Sequence, residues 1–240
     1  MTRLSVNINK IATLRNARGG NLPDLKKATI DCEHYGAQGI TVHPRPDERH
    51  ITRRDVEMIR PIITTEFNIE GNPIPEFIEL VLTHKPDQVT LVPDDPNQLT
   101  SDHGWDTKKH MSFLQDTIGK FQEAGIRTSI FVDANVQMIE HAKHTNTDRV
   151  ELYTESFASD FEKDPDATIL PFIEAAIAAN ELGIGLNAGH DLNLKNLKFF
   201  AQRIPGLLEV SIGHALICDS LYLGLDNAIK MYLRELRVNN

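Results

Sequence analysis

The segment with the clearest chemical content is residues 39–50, which read GITVHPRPDERH. A short apolar run ends at His43, and two prolines then break it into a loop that carries Arg45 and His50. A histidine transfers protons near neutral pH, and an arginine holds phosphate or carboxylate through paired hydrogen bonds. The segment therefore predicts proton transfer next to an anion-binding site.

Polar residues follow the other apolar runs in the same way. Glu70 ends the run FNIEG, His190 lies in NAGHD after the seventh run, and His214 follows the eighth. A glutamate in such a position can also cap the next helix, and a lone histidine is usually an ordinary surface residue. The further polar residues at or after run ends are Asn7, Asn9, Lys10, Asn68, Thr100, Asp133, Glu151, Thr154, Asn187 and Gly213. Arg15 and Arg18, after the first run, are expected either as solvated charges or as groups that close over an anion.

The elements that position these residues alternate regularly. Eight apolar runs, each followed by an amphipathic stretch, divide the chain into units of about thirty residues, the size of a minimal strand–helix unit. The strands are predicted at 4–8, 40–43, 66–69, 88–92, 128–132, 149–153, 184–187 and 208–212, with a loop at 9–20 and one last helix to about 238. Such alternation predicts a single α/β domain over 1–240, a (β/α)8 TIM barrel. An open doubly wound sheet is the alternative, but the first strand is followed by no GxGxxG and the chain has no Walker sequence.

In a barrel these residues would lie close together, because the carboxyl ends of all the parallel strands are at the same end of the barrel, its mouth. That mouth carries the active site in barrel enzymes, and its phosphate site lies after the last two strands. Gly213 and His214 open the last predicted helix, whose free N–H groups could hold a phosphate.

Composition narrows the class of protein. The formal net charge of -9 argues against non-specific nucleic-acid binding, which needs a basic surface. The two cysteines, Cys32 and Cys218, have no CxxC partner, so a disulfide framework is not expected. No signal peptide or membrane-spanning run is recognised, and we expect a cytoplasmic protein without a membrane partner.

Seven segments, in order along nearly the whole chain, resemble the pyridoxine 5′-phosphate synthase family. They are VNINKIATLRNARG, GITVHPRPDERHI, FNIEG, LVPDD, VELYTE, LNAGHDLN and EVSIGHALI. The resemblance implies a barrel with extra helices that condenses 1-deoxy-D-xylulose 5-phosphate with 3-amino-2-oxopropyl phosphate. The products would be pyridoxine 5′-phosphate, inorganic phosphate and water. It further implies that no metal or organic cofactor is needed, and that the assembly is a homo-octamer of four dimers.

The resemblance also implies roles for individual residues. His43 would be the proton acceptor, Glu70 a second acid/base group and His190 the proton donor. The amino-ketone phosphate would bind at Asn7, Arg18, Asp191, Gly213 and His214. The deoxyxylulose phosphate would bind at Arg45, His50 and Thr100. At Asp191 the backbone N–H, rather than the carboxylate, is expected to face the phosphate.

Three other interpretations remain open at this point. Lys10 could form a Schiff base with a ketone, as in an aldolase. His43, Glu70 and His190 could instead be ligands of a catalytic metal ion. The barrel could also be a non-enzymatic scaffold, although a scaffold has no use for proton-transfer groups at so many strand ends.

Overall fold

Eight parallel strands form a closed barrel in the computed structural model, which describes residues 1–94 and 101–237. Each strand pairs with its neighbours along the chain, and β1 pairs with β8. The strands, β1 to β8, are Arg3–Asn7, Gly39–Val42, Glu66–Gly71, Gln88–Leu91, Arg127–Val132, Arg149–Tyr153, Gly185–Gly189 and Leu207–Ile212. The predicted α/β barrel is confirmed.

Helices surround the barrel. In the described ranges they are, from α1 to α11, Asn9–Asn16, Leu25–His34, Arg53–Ile59, Pro75–His84, Met111–Glu123, Val136–Lys143, Glu155–Asp160, Pro165–Glu181, Leu197–Arg203, His214–Leu223 and Leu225–Glu235. Thr52, the N-cap of α3, accepts a hydrogen bond from Asp55 N–H. None of the helices in the described part of the chain is both long enough and apolar enough to cross a membrane.

The strands alternate between two different environments. In β3, Phe67 and Ile69 are fully buried in the hydrophobic core between strands and helices. The residues between and after them point inward: Asn68 accepts from Thr90 Oγ1 at 3.1 Å, and Glu70 lies 3.4 Å from the hydroxyl of Ser211 on β8. Strands as far apart as β3 and β8 can meet only through the interior of the barrel. The apolar core therefore lies outside the strands, while the barrel interior is polar.

Ion pairs fill the amino-terminal end of the barrel. Arg3 pairs with Glu66 at 2.9 Å and lies 3.6 Å from Glu209, and Arg127 also bonds Glu66. Burial, followed by the charge of Glu66, raises the pKa of Glu209 to about 7. These arginines and glutamates pair with one another. They lie at the end of the barrel opposite the expected active site.

The stretch after β1 differs from the prediction, because it contains helix α1 where a loop was expected. Arg15, on this helix, is neither solvated nor placed over an anion. It forms a buried ion pair with Asp55, with Nη1 2.5 Å from Oδ1 and Nη2 2.8 Å from Oδ2. Asp55 also completes the capping box of α3, so the pair joins α1 to the start of α3.

Replacing Asp55 with alanine is expected to lower the free energy of unfolding by about 3 kcal/mol, because the buried Arg15 loses its counter-charge and α3 loses its cap. Urea unfolding measures this change. The control is Asp31→Ala, which breaks the exposed pair with Lys27 and should cost no more than about 0.5 kcal/mol. Equal effects of the two substitutions would contradict the assignment.

Two other elements also differ from the prediction. The single last helix is two helices, α10 and α11, which meet at Gly224 in a left-handed backbone conformation with φ of 78°. The polar loop after β6 contains the short helix α7. Near the break, Leu221 and Tyr222 are exposed, whereas Tyr232 on α11 is fully buried.

Candidate active site

A cavity of about 700 Å³ opens at the carboxyl ends of the strands. Nine of the eleven residues assigned to the site line this one cavity: Asn7, His43, Arg45, His50, Glu70, His190, Asp191, Gly213 and His214. Arg18 lies on the exposed turn after α1 and is not among the lining residues. Thr100 lies outside the described residues.

His43 follows β2 directly and is held by the first turn of α1. The side-chain oxygen of Asn9 accepts a hydrogen bond from the backbone N–H of His43 at 2.9 Å. The ring is 7% exposed. Burial, together with the nearby charges of Arg45 and His50, holds the pKa of His43 well below 6.5. The imidazole is therefore neutral at neutral pH and able to accept a proton.

Glu70 is an acidic residue whose side chain lies inside the barrel. Its carboxylate lies 3.5 Å from the amide nitrogens of Asn7 and Asn68 and 3.4 Å from the hydroxyl of Ser211. Burial raises the pKa of Glu70 to about 7, against the opposing effect of His190. A carboxyl group with this pKa can both give and take protons near neutral pH.

The surroundings of His190 shift its pKa in the opposite direction from the pKa of His43. Its Nδ1 lies 2.8 Å from Asp191 Oδ2. Burial disfavours the charged ring, but the hydrogen bond and charge of Asp191, with Glu70 and Asp94, outweigh it and raise the pKa of His190. The ring is therefore protonated more readily than an ordinary histidine, as a proton donor requires. Its backbone has a φ of 78°, which turns the chain sharply after β7.

Asp191 corrects one expectation. Its backbone N–H, expected to face a phosphate, lies 3.2 Å from the carbonyl oxygen of Gly189 and 3.3 Å from Thr154 Oγ1. Its carboxylate, expected to point away, lies against the ring of His190 inside the cavity. The sequence could not show this, because it depends on the left-handed turn at His190.

Replacing Asp191 with asparagine is expected to lower the pKa of His190, because the ring loses the neighbouring negative charge. If His190 must be protonated, activity falls as pH rises through its pKa. The falling limb of the pH profile of kcat/KM should therefore move to lower pH. Asp166→Asn, at an exposed pair on α8, is the matched control and should leave the limb in place. An unmoved limb in Asp191→Asn would remove this coupling.

Arg45 and His50 form a basic wall on one side of the cavity, with Lys10 and Arg49 beside them. Burial, followed by the charges of Lys10 and Arg45, lowers the pKa of His50 to about 4. The backbone N–H of Ile51 donates to His50 Nδ1 at 2.9 Å. A neutral ring bonded in this way carries its proton on Nε2, which leaves an N–H donor for an anion.

The start of α10 has the backbone geometry of an anion-binding site. Gly213 is the N-cap, and the backbone N–H groups of the first turn have no carbonyl partner within the helix. A Cβ on Gly213 would come within 3.0 Å of Asn7 Cβ, so glycine permits this close approach of α10 to β1. His214 also lines the cavity and is exposed.

Two buried carboxyl groups at this end of the barrel were not assigned to the site from sequence. Glu151 on β6 lines the cavity and is 4% exposed, and burial followed by the charge of Glu70 raises its pKa well above 4.5. Its place at a strand end was the signal that could have found it. Asp94, after β4, pairs with Arg45 at 3.0 Å. The sequence shows two adjacent aspartates after the fourth apolar run and does not indicate that Asp94 turns inward.

Lys10 is exposed at the rim of the cavity, whereas a lysine that forms a Schiff base is normally desolvated.

In the described ranges, no three histidine, cysteine or acidic side chains are grouped closely enough to hold a metal ion together.

The fold and the site together define a (β/α)8-barrel enzyme with proton-transfer groups and anion-binding groups at one mouth. The sequence model of the family described as "Pyridoxal phosphate biosynthesis protein PdxJ" matches residues 4–238. The chain belongs to this family, so the resemblance drawn from the seven segments is confirmed.

Individual relatives agree with this assignment. A pyridoxine 5′-phosphate synthase from Bacteroides fragilis is 63% identical over 237 residues, which cover 99% of this chain and 100% of the relative. The synthase from Flavobacterium johnsoniae is 62% identical with the same coverage. The solved structure of 3-keto-L-gulonate-6-phosphate decarboxylase from Vibrio cholerae has a TM-score of 0.65 at 9% identity and covers 98% of this chain and 97% of its own. At that identity the likeness shows the fold alone.

Proposed function

We propose that this protein condenses 1-deoxy-D-xylulose 5-phosphate with 3-amino-2-oxopropyl phosphate to give pyridoxine 5′-phosphate, inorganic phosphate and water. The observation that carries the proposal is the presence of three proton-transfer groups, His43, Glu70 and His190, in one cavity. The cavity belongs to a chain that lies in the pyridoxal phosphate biosynthesis family. Ring closure of this kind is a series of proton transfers, so it needs both acids and bases near neutral pH.

The first bond forms when the amine of one substrate attacks the ketone of the other. The amine must lose a proton as it attacks, and the resulting carbinolamine must lose water. His43 is neutral and suits the role of acceptor, while His190 has a raised pKa and suits the role of donor to the leaving hydroxyl. The two histidines are thus suited to opposite roles, acceptor and donor, because their surroundings shift the pKa of each ring in opposite directions.

Glu70 suits the later steps. The imine must enolise, one phosphate must leave, and an aldol-type step must close the ring with loss of a second water. Each step moves a proton to or from carbon or oxygen, and a carboxyl group with a pKa of about 7 can serve in either direction. Glu151 is a further proton carrier in the same cavity, and burial followed by the charge of Glu70 raises its pKa.

Two phosphorylated substrates need two anion sites. The basic wall at Arg45 and His50 suits the deoxyxylulose phosphate, and the start of α10 at Gly213 and His214 suits the amino-ketone phosphate. Holding both substrates in one cavity supplies much of the rate enhancement, because the attack becomes effectively intramolecular. The apolar lining at Val92 and Phe131 offers a surface for the methyl group or for the forming ring.

The experiment that tests this function incubates the purified protein with each substrate alone and with both, and follows the ultraviolet absorbance of the pyridinol ring. Product is expected only when both are present. Its absence with the pair would overturn the proposal while leaving the barrel unaffected.

The Schiff-base interpretation is tested separately. Borohydride reduction in the presence of either ketone should leave Lys10 unmodified, because its exposed amine lacks the desolvation that activates such lysines. A reduced adduct on Lys10, found by mass spectrometry, would favour the aldolase-type mechanism.

We further propose a homo-octamer in the cytoplasm, as the resemblance implies. The exposed Leu221 and Tyr222 on α10 support self-association, because large apolar side chains at neighbouring positions are costly to leave in water. Light scattering of the purified protein is expected to give the mass of eight chains, and a monomer mass would contradict the assembly.

A further inference from the structure

Asp94 lies where the basic wall meets the barrel interior, and the proposed mechanism gives it no role. Its Oδ2 lies 3.0 Å from Arg45 Nη1 and accepts a hydrogen bond from Ser101 Oγ at 2.9 Å. The side chains of Asp94 and Arg45 are 4% and 5% exposed. This is therefore a buried ion pair at the edge of the cavity, not a surface contact.

Asp94 is itself firmly held. The side-chain amide of Asn72, after β3, donates to the carbonyl oxygen of Asp94 at 2.8 Å. Its Oδ1 has no hydrogen-bond partner within the described part of the chain, so the carboxylate keeps unused acceptor capacity in a buried place. A buried acceptor left without a partner has a cost, and such groups in native proteins often serve function.

The contact between Asp94 and Arg45 affects how Arg45 binds an anion. A guanidinium group has five N–H donors in one plane, and Oδ2 of Asp94 lies 3.0 Å from one of its nitrogens, Nη1. The carboxylate fixes the long side chain before a ligand arrives, and less side-chain entropy is then lost when the ligand binds. Asp94 also lies 4.0 Å from His43 Nε2, which is too far for a hydrogen bond, so Arg45 and Ser101 are its side-chain partners in the described part of the chain.

We propose that Asp94 is a positioning residue that holds the guanidinium of Arg45 in place to bind the phosphate of the sugar substrate. The inference rests on the proposed function, because it takes Arg45 as a phosphate ligand. It assigns Asp94 to substrate binding rather than to proton transfer. Substitutions at Asp94 should therefore act mainly on KM for the sugar phosphate. Their effect on kcat should be smaller and should come from the charge of Asp94, which helps raise the pKa of His190.

Electrostatics alone would predict the opposite sign. A carboxylate beside an anion site repels the anion, so its removal would tighten phosphate binding if charge were its only contribution. Positioning predicts weaker binding instead. The sign of the change in KM therefore separates the two accounts.

The test measures KM and kcat for three variants. Asp94→Ala is expected to raise KM for deoxyxylulose phosphate about tenfold, with kcat within about threefold of the wild type. Asp94→Asn keeps an acceptor for Arg45 and should restore KM to within about threefold. Asp94→Glu keeps the charge but displaces it by a methylene, so KM should rise, and this variant carries the test if Asp94→Ala does not fold.

A double-mutant cycle tests whether Asp94 acts through Arg45. In an Arg45→Ala background, Asp94→Ala is expected to cause no further rise in KM. The control is Glu66→Gln, which weakens a partly buried carboxylate–arginine pair at the opposite end of the barrel. It should lower stability and leave both kinetic constants unchanged, which separates a general loss of packing from a specific effect at Asp94.

The outcomes are distinct. An unchanged or lowered KM in Asp94→Ala and Asp94→Glu, or additive effects in the cycle, would overturn the positioning role. Calorimetric titration of deoxyxylulose phosphate and of inorganic phosphate needs no turnover and reads binding directly. A wild-type protein that binds the sugar phosphate but forms no pyridinol contradicts the proposed function, while the comparison of affinities still decides the role of Asp94.

Discussion

Replacing His43 with asparagine is expected to lower kcat about a thousandfold while KM for either substrate changes less than about threefold. Asparagine keeps a polar side chain of similar reach and retains the backbone N–H that donates to Asn9. It cannot accept a proton, so the attack of the amine loses its base. Steady-state kinetics with each substrate varied in turn measures the change.

His144→Asn is the matched control, because His144 is an exposed histidine at the end of α6 and does not line the cavity. It should behave as the wild type. A His43→Asn variant that keeps its turnover would remove the acceptor role. One that loses only affinity would make His43 a binding residue.

Glu70→Gln is expected to lower kcat about a hundredfold and to change the shape of the pH profile. The pKa of Glu70 is about 7 because of burial, so a step that needs its ionised form becomes faster as pH rises through this value. The wild type should show that rising limb. The residual activity of Glu70→Gln should lack it, because glutamine does not titrate.

The same substitution has a stability effect with a defined sign. Glu70 has a pKa raised from 4.5 to about 7 in the folded protein, so its proton is bound more tightly in the folded than in the unfolded state. Below the pKa that Glu70 has in the unfolded protein, this bound proton makes its full contribution to the free energy of unfolding. The contribution is lost as pH rises through the pKa that Glu70 has in the folded protein. Compared with the wild type, Glu70→Gln should therefore gain thermal stability at about pH 8 and gain little at about pH 4.

Retained turnover in Glu70→Gln, or a rising limb that persists, would show that another group takes this proton. Glu151 is the first candidate, since it lies in the same cavity with a raised pKa. Glu151→Gln measured alongside would identify it, because the limb would then disappear in that variant instead.

The barrel was predictable from sequence because its strands are short apolar runs at a regular spacing. Each observed strand lies within two residues of its prediction, with the last as an example: 208–212 was expected and Leu207–Ile212 is found. Helix α1 was missed because its sequence is polar, and its buried face depends on the ion pair between Arg15 and Asp55, which are forty residues apart. The break at Gly224 was missed because the apolar pattern continues across it.

The location of the site was also predictable, since parallel strands bring their carboxyl ends to one mouth. The electrostatics were not. The low pKa of His43 and the raised pKa of His190 depend on which charges lie beside each ring, and those neighbours come from different strands. The inward turn of Asp94 and the contact of Asp191 with His190 likewise follow from backbone geometry that a residue pattern does not encode.

The most direct test of the whole account follows two products at once. Chelator-treated protein is mixed with both phosphorylated substrates, and pyridinol absorbance and released inorganic phosphate are recorded over the same time course. Pyridoxine 5′-phosphate and phosphate are expected to appear at equal rates, because each ring closure expels one phosphate. Phosphate release without pyridinol, or no release of either, would contradict it.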